Sequence, residues 1–354
     1  MKEKKEIQQK IDKNSEEDVT EEEFYSVLRL ISPGTNLRSA LDEILHYGKG
    51  ALIVVENEFL SPLLDGGFKV NSKFTPQRIM ELSKMDGGII LSKDLKKILF
   101  ANVTLAPSTK IKSSETGTRH KAAERTAKQI GGLAISISEK KKEITLFYKN
   151  KRHNVKNISE IMRRVNEHLQ ILEKQRDIFD INLETLNQLE IKNYISLNHA
   201  IKTIQRGKII QKISKEVSKN LVELGKEGEI LRTRLKEILF DVKKETDLII
   251  KDYSNIDPKK SIFILDELSY EELLDKERIL RALYQDNINK IVNVPGWRIL
   301  SKTSLNDEEI SKLIKKAGGF EKLLSTEISS KFEFLPDDKF ALLKVELERL
   351  KLGI

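Results

Sequence analysis

The stretch Met85–Arg125 carries the residues best equipped for chemistry. It opens on Met85-Asp86-Gly87-Gly88 and runs into the apolar segment Ile89-Ile90-Leu91. It closes on Glu115-Thr116-Gly117-Thr118-Arg119-His120-Lys121, which leads into Ala122-Ala123-Glu124-Arg125. An ionised Asp at a turn can ligate a hard cation such as Mg²⁺ or Mn²⁺. The glycines beside it lack Cβ atoms, so a ligand can approach the backbone. The second segment puts small donors and cations at the start of a helix, where free N–H groups and the dipole attract anions. Arg119 adds a planar fork matched to phosphate oxygens. His120 adds a ring and Lys121 a point charge. The pair of segments suits a metal and a polyphosphate.

Each segment also has a plainer reading. Asp86-Gly87-Gly88 is equally an Asx or glycine turn joining two elements, and on residue types alone that reading leads. Thr118–Lys121 can be a surface helix with basic side chains in its first turn. Cations at a helix N-terminus are unfavourable without an anion, so there the two readings stand level. Glu124 and Arg125 are expected to form an ion pair within the helix. His46, His153, His168 and His199 show no ligand spacing and fit structural positions. A Walker-type phosphate loop, a dinucleotide fingerprint and a serine nucleophile elbow are all absent.

The elements that must position these residues follow from the apolar pattern. Phe24, Val27, Leu28 and Ile31 recur at helical spacing, and Ser32-Pro33-Gly34 stops that helix. Thr35 or Asn36 caps a second helix carrying Leu37, Leu41, Ile44 and Leu45, which Gly48-Lys49-Gly50 ends. Ala51–Val55 is a short apolar run expected of a strand buried on both faces. Further strands are expected at Phe68–Val70, Gly88–Leu91, Lys97–Asn102, Leu133–Ser138 and Glu143–Tyr148. Helices are expected from Thr75-Pro76 to Met85 and over Thr118–Ile130. This alternation describes an α/β domain of mixed sheet flanked by helices, over residues 21–155. Residues 1–20, highly charged and poor in large apolar side chains, read as a mobile tail.

Beyond residue 155 the pattern changes. Few prolines or glycines interrupt residues 156–257, where Ile161, Val165, Leu169 and Leu172 form one stripe and Ile201, Ile204, Ile209, Ile210 and Ile213 another. This reads as an all-α spine, broken at Gly225 and Gly228. Residues 258–354 form a third, helical domain. The 354 residues contain no cysteine, which excludes disulfides, thiolate zinc sites and a Cys nucleophile. No apolar run is long enough to span a bilayer, and the N-terminus does not read as a secretory signal. A cytoplasmic, nucleoid-associated protein with no membrane partner is the expectation. The net charge of +8 permits contact with nucleic acid.

Taken in order, several segments resemble the bacterial DNA-integrity scanning proteins, a family of diadenylate cyclases. The resemblance rests on Leu30–Thr35, Gly50–Val54, Gly66-Gly67-Phe68, Glu81–Gly87, Ala101-Asn102-Val103 and Glu115–His120. It is specific over residues 21–155 and weaker through Leu224-Gly225-Lys226-Glu227-Gly228. It implies condensation of two ATP molecules into cyclic di-AMP, with release of two pyrophosphates across a subunit interface. It further implies a homo-octamer and regulation by branched DNA. By position, Asp86 is implied to bind Mg²⁺ or Mn²⁺ and help activate the 3′-hydroxyl. Gly66, Gly67, Gly87, Leu105, Thr118, Arg119, His120, Lys121 and Ser138 are implied to bind nucleotide, with Asp86, Arg119 and His120 catalytic. Three positions depart from the family pattern: Gly88 stands for Ala, Lys121 for Arg, and Glu139 lies in a turn that is often basic.

The family ends in a helix-hairpin-helix module that contacts the DNA backbone. Pro295–Lys302 resembles its opening segment and Ala317–Leu324 its middle, whereas Phe334-Leu335-Pro336-Asp337-Asp338-Lys339 replaces the glycine hairpin. Residues 291–354 hold 11 basic against 10 acidic side chains, and residues 151–250 hold 20 against 15. The basic excess is therefore not concentrated on that degenerate module, and weak or altered DNA binding is expected. The competing reading is a DNA-binding scaffold or checkpoint protein with weak or lost cyclase activity.

Overall fold

A computed structural model describes residues 19–192, 194, 197–284, 294–317 and 335–352. The expected N-terminal tail lies outside these residues apart from Val19 and Thr20. The chain divides into two units, Met1–Val165 with Lys219–Leu231, and Asn166–Ser218 with Arg232–Ile354.

The first unit is built on a mixed sheet of eight strands among the described residues. They are β1 (Ala51–Val55), β2 (Leu64–Asp65), β3 (Phe68–Lys73), β4 (Gly88–Leu91), β5 (Lys97–Leu105), β6 (Leu133–Ser138), β7 (Glu143–Tyr148) and β8 (Lys151–Val155). Their order is β2-β5-β4-β1-β6-β7-β8, with β3 also paired to β5. The β1–β4 pair is parallel and the other pairs are antiparallel. Strand β8 has no counterpart in the sequence reading. Its Lys151-Arg152-His153-Asn154-Val155 lacks the apolar run that marks a buried strand, because it closes the sheet as a charged edge.

Helices α1 (Glu21–Leu30), α2 (Asn36–His46) and α3 (Pro76–Leu82) lie on one face and α4 (Thr118–Ile130) on the other. Strand β1 shows why its residues are apolar throughout. Ala51 and Ile53 pack with Val27, Leu41, Ile44 and Ile79, while Leu52 and Val54 pack with Ala123, Ala127 and Ile130. The alanines of α4 let that helix lie close to the sheet. Threonines cap the first three helices, accepting at Oγ1 from Glu23 N (3.2 Å), Arg38 N (3.2 Å) and Arg78 N (3.3 Å). Helix α3 ends at Leu82, not at Met85 as the periodicity predicts. Ser83 and Met85 turn the chain with N–H donations to Ile79 and Leu82. Gly87 then adopts φ +88°, which no helix contains.

The segment Lys219–Leu231 belongs to this first unit. Val222 packs against the α1–α2 core. Gly225, at φ +52°, comes so close to Ser32 that a Cβ would fall 2.6 Å from its Oγ.

The second unit is helical among the described residues. It takes most of α5 (Ile158–Ile191) and α6 (Leu197–Glu223), and then α7 (Glu229–Leu239) and α8 (Val242–Tyr253). There follow α9 (Pro258–Glu267), α10 (Tyr270–Leu274), α11 (Lys276–Tyr284), α12 (Trp297–Leu300), α13 (Asp307–Ala317) and α14 (Asp337–Leu352). The predicted stripes are buried at Leu169, Leu172, Ile201, Ile204, Ile209 and Ile210. Gly207 permits a close helix crossing, since a Cβ there would meet Thr246 Oγ1 at 2.0 Å.

The opening segment of the expected DNA module is anchored from within this unit. Asp252 of α8 accepts the backbone N–H groups of Gly296 (3.0 Å), Trp297 (2.7 Å) and Arg298 (2.9 Å). Burial pushes the Asp252 carboxyl up to about 7, against the pull of those N–H groups. Arg298 is fully buried and donates to Asn187 Oδ1 and Glu190 Oε2, while Tyr253 Oη donates to Glu190 Oε1 at 2.9 Å. The backbone N–H groups of Gly296, Trp297 and Arg298 and the Arg298 guanidinium are thus engaged inside the protein. Residues 318–334, which include most of the module's middle, lie outside the described residues.

Candidate active site

Strand register gathers the two halves of Met85–Arg125 at one end of the sheet. Leu52 pairs with Gly88, Ala51 with Ile137, and Gly88 with Val103. The starts of β1 and β4 and the ends of β5 and β6 therefore share an edge. Asp86 and Gly87 precede β4 there, Gly50 precedes β1, Leu105 closes β5 and Ser138 closes β6. With strands about 4.8 Å apart, the Asp86 and Ser138 positions stand roughly 10 Å from each other across the sheet.

Arg119, second residue of α4, reaches this edge. A Cβ on Gly50 would fall 2.0 Å from Arg119 Nη1 and 3.0 Å from its Cζ, with the Ile137 carbonyl oxygen at 3.2 Å. The guanidinium therefore lies against the bare backbone of Gly50. Among the described residues neither Arg119 nor Asp86 has an ion pair or a side-chain hydrogen bond. Asp86 is exposed and Arg119 half-buried.

The start of α4 is uncapped. Its N-cap is Gly117, which offers no side-chain acceptor, and no acid stands in the first turn. Thr118 is exposed, and His120 and Lys121 are half-buried. The His120 ring folds back toward Gly117, whose Cβ would lie 3.7 Å from Nδ1. Burial holds the His120 imidazole below its usual pKa, and Arg119, Lys141 and Arg152 push the same way. Glu115 opposes them, but Arg152 Nε engages Glu115 at 2.5 Å. Burial and the surrounding cations therefore favour the neutral ring, which presents one donor and one acceptor.

The rest of α4 holds the polar segment that leads into it. Glu124 accepts from Ser113 Oγ (2.5 Å), Ser114 N (3.0 Å) and Lys128 Nζ (2.7 Å). Arg125 Nε donates to the Ile111 carbonyl at 2.9 Å, and Ser108 N donates to Gln129 Oε1 at 2.8 Å. The expected Glu124–Arg125 pair is thus corrected. Adjacent residues on a helix do not face each other, whereas Lys128, four residues on, does. Burial raises the Glu124 carboxyl, but its bonds to Lys128 and Ser113 hold it below the usual range.

The glycines divide by cause. A Cβ on Gly87 would fall 2.8 Å from Asn102 C and 2.9 Å from Val103 N. Asn102 itself sits at φ +53°, beside the register shift in the β4–β5 ladder. Gly67 likewise has no room, with the Ala101 carbonyl oxygen at 2.7 Å. The fold alone accounts for both, whatever they do for a ligand. Gly66 faces open space. Leu105 is buried beside Gly88, where a methyl group would meet Val103 O at 3.4 Å and Leu105 Cδ1 at 3.6 Å. The Ala usual in the family would therefore fit. Ser138 Oγ accepts from Lys141 N at 3.2 Å in a turn whose Glu139 is exposed.

Sequence reasoning missed Gly50. Its signal lay in the redundancy of Gly48-Lys49-Gly50: Gly48, at φ +64°, already ends α2, and Gly50 has no such duty. A cleft of about 680 Å³ opens elsewhere, lined by Arg38, Asp42, His46, Lys142 and Lys156 among others, and none of the candidate residues lines it. Arg38 there is already satisfied by Asp42 at 2.9 Å and the Lys156 carbonyl at 3.2 Å. The chemistry favours the Asp86–Arg119 edge over this cleft.

Two family models match the chain. Residues 38–152 match the nucleotide-binding domain of the DisA bacterial checkpoint controller, and residues 155–291 match its linker region. The chain is similar to the DNA integrity scanning protein DisA of Acetivibrio thermocellus, at 38% identity over 87% of this chain and 88% of the relative. The corresponding protein of Carboxydothermus hydrogenoformans is 37% identical over 87% of this chain and 90% of its own. That of Clostridioides difficile is 36% identical over 85% and 87%.

Proposed function

This chain belongs to the DisA family of bacterial checkpoint controllers and is a diadenylate cyclase, and we propose that it joins two ATP molecules into cyclic di-AMP. The reading rests above all on Arg119: a half-buried guanidinium at an uncapped helix start, without a carboxylate partner among the described residues, on the sheet edge that Asp86 shares. Such a cation calls for an anion.

Each half-reaction forms one bond from a ribose 3′-oxygen to an α-phosphorus. The bond from that phosphorus to the bridging oxygen breaks, pyrophosphate leaves with the electron pair, and the hydroxyl proton departs. Catalysis is then positioning and charge neutralisation. The exposed Asp86 carboxylate orients the 3′-hydroxyl and favours loss of its proton. The first N–H groups of α4, with Thr118, Arg119 and Lys121, receive phosphate oxygens. His120 donates a ring N–H to the same phosphates, and Ser138 adds a hydroxyl. Leu105 walls the adenine, and Gly66 leaves its side of the pocket open.

A divalent cation fits this donor set only in company with ATP. Among the described residues no three His, Asp or Glu side chains group as a cage. Mg²⁺ characteristically takes one or two carboxylates plus substrate phosphates, and Asp86 supplies one. When bound, Mg²⁺ or Mn²⁺ neutralises phosphate charge and acidifies the attacking hydroxyl.

Each chain carries one such edge, whereas ring closure needs two ATP molecules facing each other. Two chains must therefore meet edge to edge, within a homo-oligomer that the family resemblance makes an octamer. DNA is the proposed regulatory partner, following the name of the relatives. Purified protein incubated with ATP and Mn²⁺ or Mg²⁺ yields cyclic di-AMP and pyrophosphate, resolved by chromatography. Asp86→Asn abolishes the product while leaving the oligomer intact. Undiminished turnover in that variant refutes the role of Asp86, and no product from the parent protein refutes the reading as a whole.

A further inference from the structure

We propose that Gly50 is a positioning residue for Arg119: its missing Cβ is the seat that aims the guanidinium along the Asp86 edge. The inference deepens the cyclase reading, on which it rests for the role of Arg119. Three observations carry it. The site a Cβ would take is already filled by the guanidinium, 2.0 Å from Nη1. The backbone of Gly50 is not left-handed, so conformational freedom does not explain the glycine. The guanidinium has no ion pair or side-chain hydrogen bond among the described residues, so no polar partner holds it in place of the Gly50 backbone.

The consequence is geometric. A methyl group at Gly50 needs about 3.5 Å to the nearest heavy atom. Arg119 Nη1 must then move by roughly 1.5 Å. Displacement is cheap for the fold, because the atom lies at the far end of a flexible side chain. It is expensive for a reaction that depends on placement, where an error of about 1 Å costs on the order of 10²-fold in rate.

The test is a double-mutant cycle on the full chain with ATP and Mn²⁺. Gly50→Ala lowers kcat by about 10²-fold, close to the loss in Arg119→Ala, and leaves the thermal midpoint within a few degrees of the parent. In Gly50→Ala/Arg119→Ala the kcat equals that of Arg119→Ala alone. Arg119→Lys, which lacks the clashing Nη1, is no slower with Gly50→Ala than without it. A Gly50→Ala kcat within twofold of the parent overturns the proposal, and so do fully additive losses. If the parent makes no cyclic di-AMP, the cyclase reading fails, and the seat is judged by a crystal structure of Gly50→Ala. Displacement of the guanidinium by more than about 1 Å upholds the seat, and an unmoved guanidinium overturns it.

Discussion

Arg298 offers a decisive perturbation, because a segment that resembles part of a DNA-contacting module keeps this cation in the interior. As part of Pro295–Lys302 it belongs to a segment resembling a DNA-contacting module. In the fold its side chain is fully buried, donating to Glu190 and Asn187. Arg298→Ala strands the Glu190 carboxylate, itself 4% exposed, with Tyr253 Oη as its remaining donor at 2.9 Å. Breaking a buried pair from one side costs about 3–5 kcal/mol. That shifts the opening equilibrium of the second unit by roughly 10²- to 10⁴-fold. Trp297, the only tryptophan of the chain, stands next to the substitution with Lys251 Nζ 3.0 Å from its ring centroid. Its fluorescence therefore reports the event directly. With a urea slope of about 2 kcal/mol/M, the midpoint falls by roughly 1.5–2.5 M. Replacing both partners by Met removes the stranded charge, and it recovers most of the loss. An Arg298→Ala midpoint within about 0.3 M of the parent, together with lost DNA affinity, refutes the reasoning and makes the side chain a DNA contact.

Two further outcomes concern the site. NMR titration of His120 in the free protein gives a pKa below 6.5, and added ATP raises it; a free-protein value above 6.5 contradicts the neutral ring. Because the folded value is depressed, the native state binds fewer protons than the unfolded chain near pH 6, so this contribution to stability is present above 6.5 and declines as pH falls. Glu124→Ala leaves Ser113, Ser114 and Lys128 without their common acceptor, and it destabilises the 108–115 segment by about 1–3 kcal/mol. Faster amide exchange and faster tryptic cleavage at Lys110 and Lys112 measure it; unchanged protection there rules the anchor out. In the parent, the lowered Glu124 pKa makes that anchoring complete above pH 4.5 and lost as pH falls through the folded value.

The α/β layout was legible because burial and periodicity coincide. Ala51–Val55 is apolar at every position because it is covered on both faces, and Thr118–Ile130 is bounded by glycines on both sides. Strand β8 was not legible, since its stability comes from pairing with β7 and not from burying an apolar face. The site was half legible. Residue chemistry drew attention to Asp86 and Arg119, but only strand register shows that they share an edge. Gly50 lies 69 positions before Arg119, and no local pattern links a glycine to a guanidinium so distant in sequence. Glu124 was assigned the wrong partner because its true ones include a loop whose fold-back the sequence does not announce. Arg298 shows the converse: a motif-like segment can keep its residues while its donors are turned inward.

The first unit is not one continuous piece of chain. It leaves at Val165 and resumes at Lys219–Leu231, which brings Val222 onto the α1–α2 core and Gly225 onto Ser32. During synthesis, the cyclase half therefore cannot finish its packing when its last strand emerges. At about 5–20 residues per second it waits roughly 3–13 s for the returning segment. Over that interval the α1–α2 surface stays open to chaperones or to premature association. Any fragment cut at residue 155 keeps that surface open permanently.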